Sequence, residues 1–101
     1  MSLEFEWDPA KAAENQRTHG VTFEEAATVF GDPLARIFDD PEHSSDEPRE
    51  IIVGYSDKQR LLLVSFTERA TKIRIISARP ATRDERQRHE QSTKKAEQAP
   101  S

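Results

Sequence analysis

The chain has 101 residues, enough for one domain with a modest core, and no cysteine, which excludes a disulfide framework and a thiolate metal site. Apolar residues make up 34% and charged residues another 34%, against typical values of about 45–50% and about 25%, so part of the chain is read as solvated surface. The net charge of −4 is unevenly spread: residues 1–50 carry 4 Lys and Arg against 13 Asp and Glu, and residues 51–101 carry 11 against 6. That asymmetry points to a polyanion on one surface and a basic partner on another.

Glu4-Phe5-Glu6-Trp7 alternates as a short strand would. Residues 8–20 predict a helix, with Asp8 as N-cap, Pro9 at the first helical position and Gly20 as the stop. A second helix is expected over 22–33. Thr22 and Glu25 have capping-box spacing, Gly31-Asp32-Pro33 ends the helix, and Phe23, Ala26, Ala27 and Phe30 form its apolar stripe.

The pattern then becomes extended at 34–38, 50–55, 60–66 and 72–78, all rich in β-branched and apolar residues. The last three are separated by hairpin-length connections, so an antiparallel meander is expected. Residues 39–49 read as a long, acidic, mobile loop. Its carboxylates and His43 lack both the calcium-loop pattern and a histidine pair, so no metal is expected there. Thr82 and Glu85 form another capping box and start a third helix with almost no apolar face. From about Gln91 onward the chain reads as a disordered tail.

The expected fold is therefore α+β: two N-terminal helices, a four-stranded antiparallel meander and a C-terminal helix. It forms a single domain over residues 1–90 with a tail at 91–101, and the helices pack on one sheet face. The longest apolar run, Leu61-Leu62-Leu63-Val64, is too short to span a bilayer, and no charged-then-apolar leader opens the chain. The expectation is a cytoplasmic protein without a membrane partner.

Two groups of residues are candidates for chemistry. Lys11, Asn15 and His19 fall at i, i+4 and i+8 on one helical stripe. Such a stripe can hold a phosphate, orient a base, or simply be a solvated face with His19 at the negative end of the helix dipole. The second group is the basic run of the last strand and its surroundings, with Arg49, Arg69, Arg74 and Arg79. Guanidinium forks match phosphate oxygens, but they also pair with nearby carboxylates such as Glu68, Asp84 and Glu85. Arg74 and Arg79 are five apart, which in an unbroken strand turns them to opposite faces. The chain has only three glycines, none clustered as a phosphate cradle, and no nucleophilic Ser or Cys stands in a recognisable frame.

Two blocks in combination, "FEWDPAKAAENQRTHGVTFEEAATVFGDP" and "RIISARPAT", resemble the BrnT family, the ribonuclease toxins of bacterial type II toxin–antitoxin pairs. The resemblance covers residues 5–90. It implies a RelE-like fold and a BrnA-like antitoxin with a ribbon-helix-helix domain. Promoter DNA would be bound only through the toxin–antitoxin complex. The family pattern falls on Lys11, Asn15, His19, Arg49, Glu68, Arg69, Arg74 and Arg79. Two positions depart from it: Ala70 stands where the family commonly has Gly, and His89 where it commonly has Tyr.

The implied activity is metal-independent endoribonuclease cleavage by attack of the substrate's own 2′-OH, with no cofactor. Arg69 and Arg79 would stabilise charge on the phosphorane, and His19 and Glu68 would transfer protons. Lys11, Asn15, Arg49 and Arg74 would bind RNA. The alternative is a non-catalytic toxin-like module acting as co-repressor with a DNA-binding partner.

Overall fold

A computed structural model describes residues 3–40 and 48–98. Most of the acidic loop, including His43, lies outside the described residues, as do residues 99–101. The chain forms β1 (Glu4–Glu6), α1 (Pro9–His19), α2 (Phe23–Thr28) continuing into a 3₁₀ turn (Val29–Gly31), β2 (Arg36–Asp39), β3 (Glu50–Tyr55), β4 (Leu61–Arg69), β5 (Lys72–Pro80) and α3 (Arg83–Gln98). Helix α3 runs past the 90/91 boundary drawn from the sequence.

The sheet corrects the expected four-stranded antiparallel meander. It has five strands in the order β1-β5-β4-β3-β2, and it is mixed. The strands from β2 to β5 do run antiparallel in sequence order, but β1 adds to the outer edge of β5 in parallel, pairing Glu4 with Lys72, Phe5 with Ile73 and Glu6 with Arg74. A three-residue strand joined to its neighbour by the whole domain has no turn to announce it, which is why the pairing was not legible.

Helices α1 and α2 cover one face. Val21, Phe23, Ala26 and Val29 pack there on Ile52, Leu62, Val64, Phe66, Ile75 and Ala78. The rings of Phe5, Phe30 and Phe66 meet edge to face in sequence, as do Trp7 and Phe23. Asp8 caps α1 through the Ala10 N–H, and Gly20 closes it in the left-handed conformation at φ 69° that favours glycine. Thr22 accepts the Glu25 N–H, but the Glu25 carboxylate does not complete the capping box. It turns inward, only 4% exposed, to accept from Ser56 Oγ at 2.7 Å and from the Arg60 guanidinium at 2.9 and 2.5 Å. Arg60 also donates to the Gly20 carbonyl, so one ionic network ties the end of α1 to α2 and to the β3–β4 turn. The Arg60 hydrogen bond holds the Glu25 carboxyl below its ordinary range.

Helix α3 does not join the other two. It lies over the opposite face, where Glu85, Arg88, His89 and Ser92 face Arg36, Phe38, Ile51, Val53 and Leu63 across a cleft of about 600 Å³. This differs from the expectation of all helices on one face, and the α3 sequence explains why. With almost no apolar stripe to bury, the helix docks through polar anchors: Glu85 on Arg79, Ser92 on Arg36, and His89 edge-on to Tyr55.

Candidate nucleic-acid interface

The arrangement of the arginines depends on an irregularity in β5. Ser65 pairs with Ser77 and Phe66 with Ile75, so Ile76 is one residue extra. This bulge restores the phase of the strand. Arg74 lies opposite Thr67 and Arg79 opposite Leu63, four residues apart on β4 and hence on the same face. An unbroken strand would have separated them. Arg49 extends the β3–β4 ladder to the level of Thr67, and Arg69 follows two residues beyond Thr67 on the same side.

The face away from α1 and α2 thus carries successive rows. Arg69 and Lys72 form the first, then Arg49, Thr67 and Arg74, then Ser65 and Ser77, and last Arg36, Val53, Leu63 and Arg79. Rows are about 7 Å apart, so Arg69 and Arg79 stand roughly 20 Å from one another. Glu68, by alternation, is turned to the face opposite its arginine neighbours.

Arg74 and Arg79 are each held by a carboxylate. Arg74 donates to Glu6 at 2.7 Å across the β1–β5 pair. Arg79 makes a bidentate pair with Glu85 at 2.8 and 2.8 Å. Glu85 simultaneously completes the α3 capping box, accepting the Thr82 N–H while its own N–H donates to Thr82 Oγ1. Chiefly through Arg79, its carboxyl is lowered to about 2, and the Arg79 guanidinium is correspondingly raised. Arg49 Nε is buried without a hydrogen-bond partner among the described residues.

The α1 stripe meets β5 along the edge that β1 leaves uncovered. Lys11 and His19 share a cleft of about 470 Å³ with Ile76 and Ser77. Asn15 lies between them but is 6% exposed, and its side chain acts as a substitute strand. Its Oδ1 accepts the Ala78 N–H at 3.0 Å, and its Nδ2 donates to the Ala78 carbonyl at 2.8 Å and the Val21 carbonyl at 3.0 Å. Both of its N–H donors and one acceptor site are thereby used, two of these bonds closing the β5 edge and the third reaching the Val21 carbonyl.

His89 is buried at 5% exposure beneath α3, its ring 6.0 Å from that of Tyr55. Burial lowers its pKa. His89 therefore packs between α3 and the end of β3.

Among the described residues, no three histidine and carboxylate side chains converge as metal ligands would, and no helix is long and apolar enough to cross a membrane. Sequence reasoning did not single out Arg36, Ser65 or Ser77. Their place on the face of Arg79 and Arg74 comes from strand pairing across the sheet, and for Arg74 it depends on the Ile76 bulge.

The family model described as "Ribonuclease toxin, BrnT, of type II toxin-antitoxin system" matches residues 7–85. Among solved structures, the chain is similar in fold to the Brucella abortus ribonuclease toxin BrnT. The TM-score is 0.62 at 21% identity, over 81% of this chain and 100% of that one. No curated protein matches it.

Proposed function

The chain belongs to the BrnT family of ribonuclease toxins of type II toxin–antitoxin systems, and from that membership we propose that it is a metal-independent endoribonuclease whose substrate lies across the arginine-bearing face of the sheet. Membership implies an antitoxin partner; we take it to be BrnA-like, with a ribbon-helix-helix domain through which alone the pair reaches promoter DNA.

The observation that carries the reading is the bulge at Ile76, which aligns Arg74 and Arg79 on one face with Arg49 beside them and the Lys11–His19 cleft at their edge. Rows of guanidinium about 7 Å apart suit successive phosphates of an extended strand better than a single one. Arg79 stabilises charge on the phosphorane, and Arg74, Arg49 and Lys11 hold flanking phosphates. Arg69 serves a phosphate at the far end.

The attacking group is the substrate's own 2′-OH, so the protein supplies in-line orientation and proton transfer rather than an activated water. Of the two proton-transfer candidates, His19 shares the Lys11 cleft beside β5. Histidine is also the side-chain type that titrates near neutrality. Glu68, turned to the other face, would have to act from the hairpin end. Asn15 supports the site by fixing α1 against β5.

The test is RNA cleavage in EDTA. Cleavage leaving 2′,3′-cyclic phosphate ends, and reduced about 10²-fold or more in Arg79→Ala, is the expected result. Undiminished cleavage by a folded Arg79→Ala protein would remove Arg79 from the mechanism. A second reading, a non-catalytic co-repressor, draws on the pairing of both β5 arginines with the chain's own carboxylates. It predicts no cleavage by the folded protein, either on free RNA or on translating ribosomes.

A further inference from the structure

Strand β2 is an outer edge of the sheet; it is short and carries two charges, Arg36 and Asp39, but among the described residues no strand pairs with its outer side. Its four residues, Arg36-Ile37-Phe38-Asp39, contain no proline, lysine or bulge. Ile37 is 54% exposed, Phe38 49% and, just before the strand, Leu34 42%. The backbone of this edge is also sorted. The Asp40 N–H donates to the Arg49 carbonyl, which makes Asp40–Arg49 a hydrogen-bonded pair of the β2–β3 ladder. Alternation then turns Arg36 and Phe38 inward to β3, and leaves the N–H and C=O of Ile37 and Asp39 pointing outward.

We propose that β2 pairs with β2 of a second copy of this chain, antiparallel about a two-fold axis through Phe38, making one continuous ten-stranded sheet. The outward-facing groups permit only registers in which Ile37 and Asp39 meet one another or themselves. Centring on Asp39 sets two carboxylates directly opposite, which is repulsive. Centring on Ile37 sets Arg36 opposite an aromatic ring and leaves the Asp39 charge facing Ala35.

Centring on Phe38 satisfies every term. Ile37 exchanges backbone hydrogen bonds with the partner's Asp39, and the reverse. The two Phe38 rings form the non-hydrogen-bonded pair, where side chains approach most closely. Arg36 comes opposite the partner's Asp40, so opposite charges meet at both ends. The two Ile37 side chains are diagonal neighbours on the other face. The patch is thus self-complementary, as a two-fold interface requires. It is also small, so the dimer is expected to be reversible, forming in the micromolar range or weaker. Because Arg36 and Phe38 line the cleft under α3, the axis sets two such clefts side by side.

The inference does not depend on catalysis and is tested without it. Sedimentation of the full chain from about 5 μM to about 500 μM is expected to show a monomer–dimer equilibrium that Phe38→Lys abolishes while leaving the circular dichroism unchanged. Arg36→Asp should weaken association, and the Arg36→Asp/Asp40→Arg double variant should restore it. Since the chain has no cysteine, Phe38→Cys places a single thiol on the axis. Mild oxidation should give a disulfide-linked dimer more readily than for Ile37→Cys or Asp39→Cys. A monomer throughout the concentration range, or a dimer indifferent to both Phe38→Lys and the charge swap, would overturn the proposal. So would Ile37 and Asp39 amides that gain exchange protection only on mixing with an antitoxin, an outcome that assigns the edge to that partner.

Discussion

Replacing Asn15 by Ala separates a structural role from a substrate-binding one. The side chain satisfies three buried backbone groups: the Ala78 N–H, the Ala78 carbonyl and the Val21 carbonyl. Truncation leaves all three without their partner, at about 1–3 kcal/mol each when no water replaces it. Allowing for partial relaxation, a loss of about 3 kcal/mol or more is expected. That is a large fraction of the roughly 5–15 kcal/mol that a domain of this size has. The assay is urea unfolding followed by the fluorescence of the single tryptophan, Trp7, which packs on Phe23. Asn15→Asp adds a sign test. It keeps the acceptor for the Ala78 N–H but turns a carboxylate oxygen toward two carbonyls, so its folded-state pKa must rise. Part of the lost stability should then return as pH falls through that raised value, because the protonated acid can donate once more. A loss under about 1 kcal/mol in Asn15→Ala, with RNA cleavage abolished, would refute the structural assignment and make Asn15 a substrate contact.

Ala70 is the first of the two residues joining β4 to β5 and sits at φ 54°, a turn position that favours glycine. Ala70→Gly is expected to stabilise the protein by about 0.5–1 kcal/mol in the same urea assay, and destabilisation would contradict the reading. The Glu85 carboxyl, lowered to about 2 from an ordinary 4.5, contributes stability that is full above about pH 4.5 and lost as pH falls toward 2. NMR titration of the Thr82 and Glu85 amides should show release with a midpoint near 2 that vanishes in Glu85→Gln; a midpoint near 4.5 would count against the pair. If Glu85 orients Arg79 for phosphate, Glu85→Gln lowers RNA cleavage, whereas tighter RNA binding with faster cleavage would mean that it only competes.

Local signals in the sequence were reliable where one element could be read alone. Asp8, Pro9 and Gly20 bound α1 as their chemistry requires, and the Phe23–Ala26–Ala27–Phe30 stripe does face the sheet. The three hairpin-linked strands also formed as expected. What was not legible needed distant partners. The short strand at Glu4–Glu6 was legible, but its parallel pairing with β5 was not, and α3 runs to Gln98 on polar anchors that lie on β2 and β5. The Thr22–Glu25 and Thr82–Glu85 boxes have the same spacing, yet only the second closes. Arg60, thirty-five residues away, draws Glu25 inward, while Arg79 meets Glu85 without pulling it off the helix start.

The same contrast governs the candidate site. The arginines crowd together in sequence, but their usefulness toward a polyanion depends on the face each presents, and a single inserted residue decides that. Without the Ile76 bulge, Arg74 would point toward the helices and Arg79 away from them. With it, the two share a face, and each arrives already fixed by a carboxylate. A guanidinium has five N–H donors and a bidentate carboxylate occupies two, so such pairing leaves donors aimed in known directions. An arginine held this way loses less conformational freedom when it engages phosphate than a free surface arginine does. The carboxylates of an acidic chain and the arginines of its basic stretch therefore do not simply cancel, since the first orient the second.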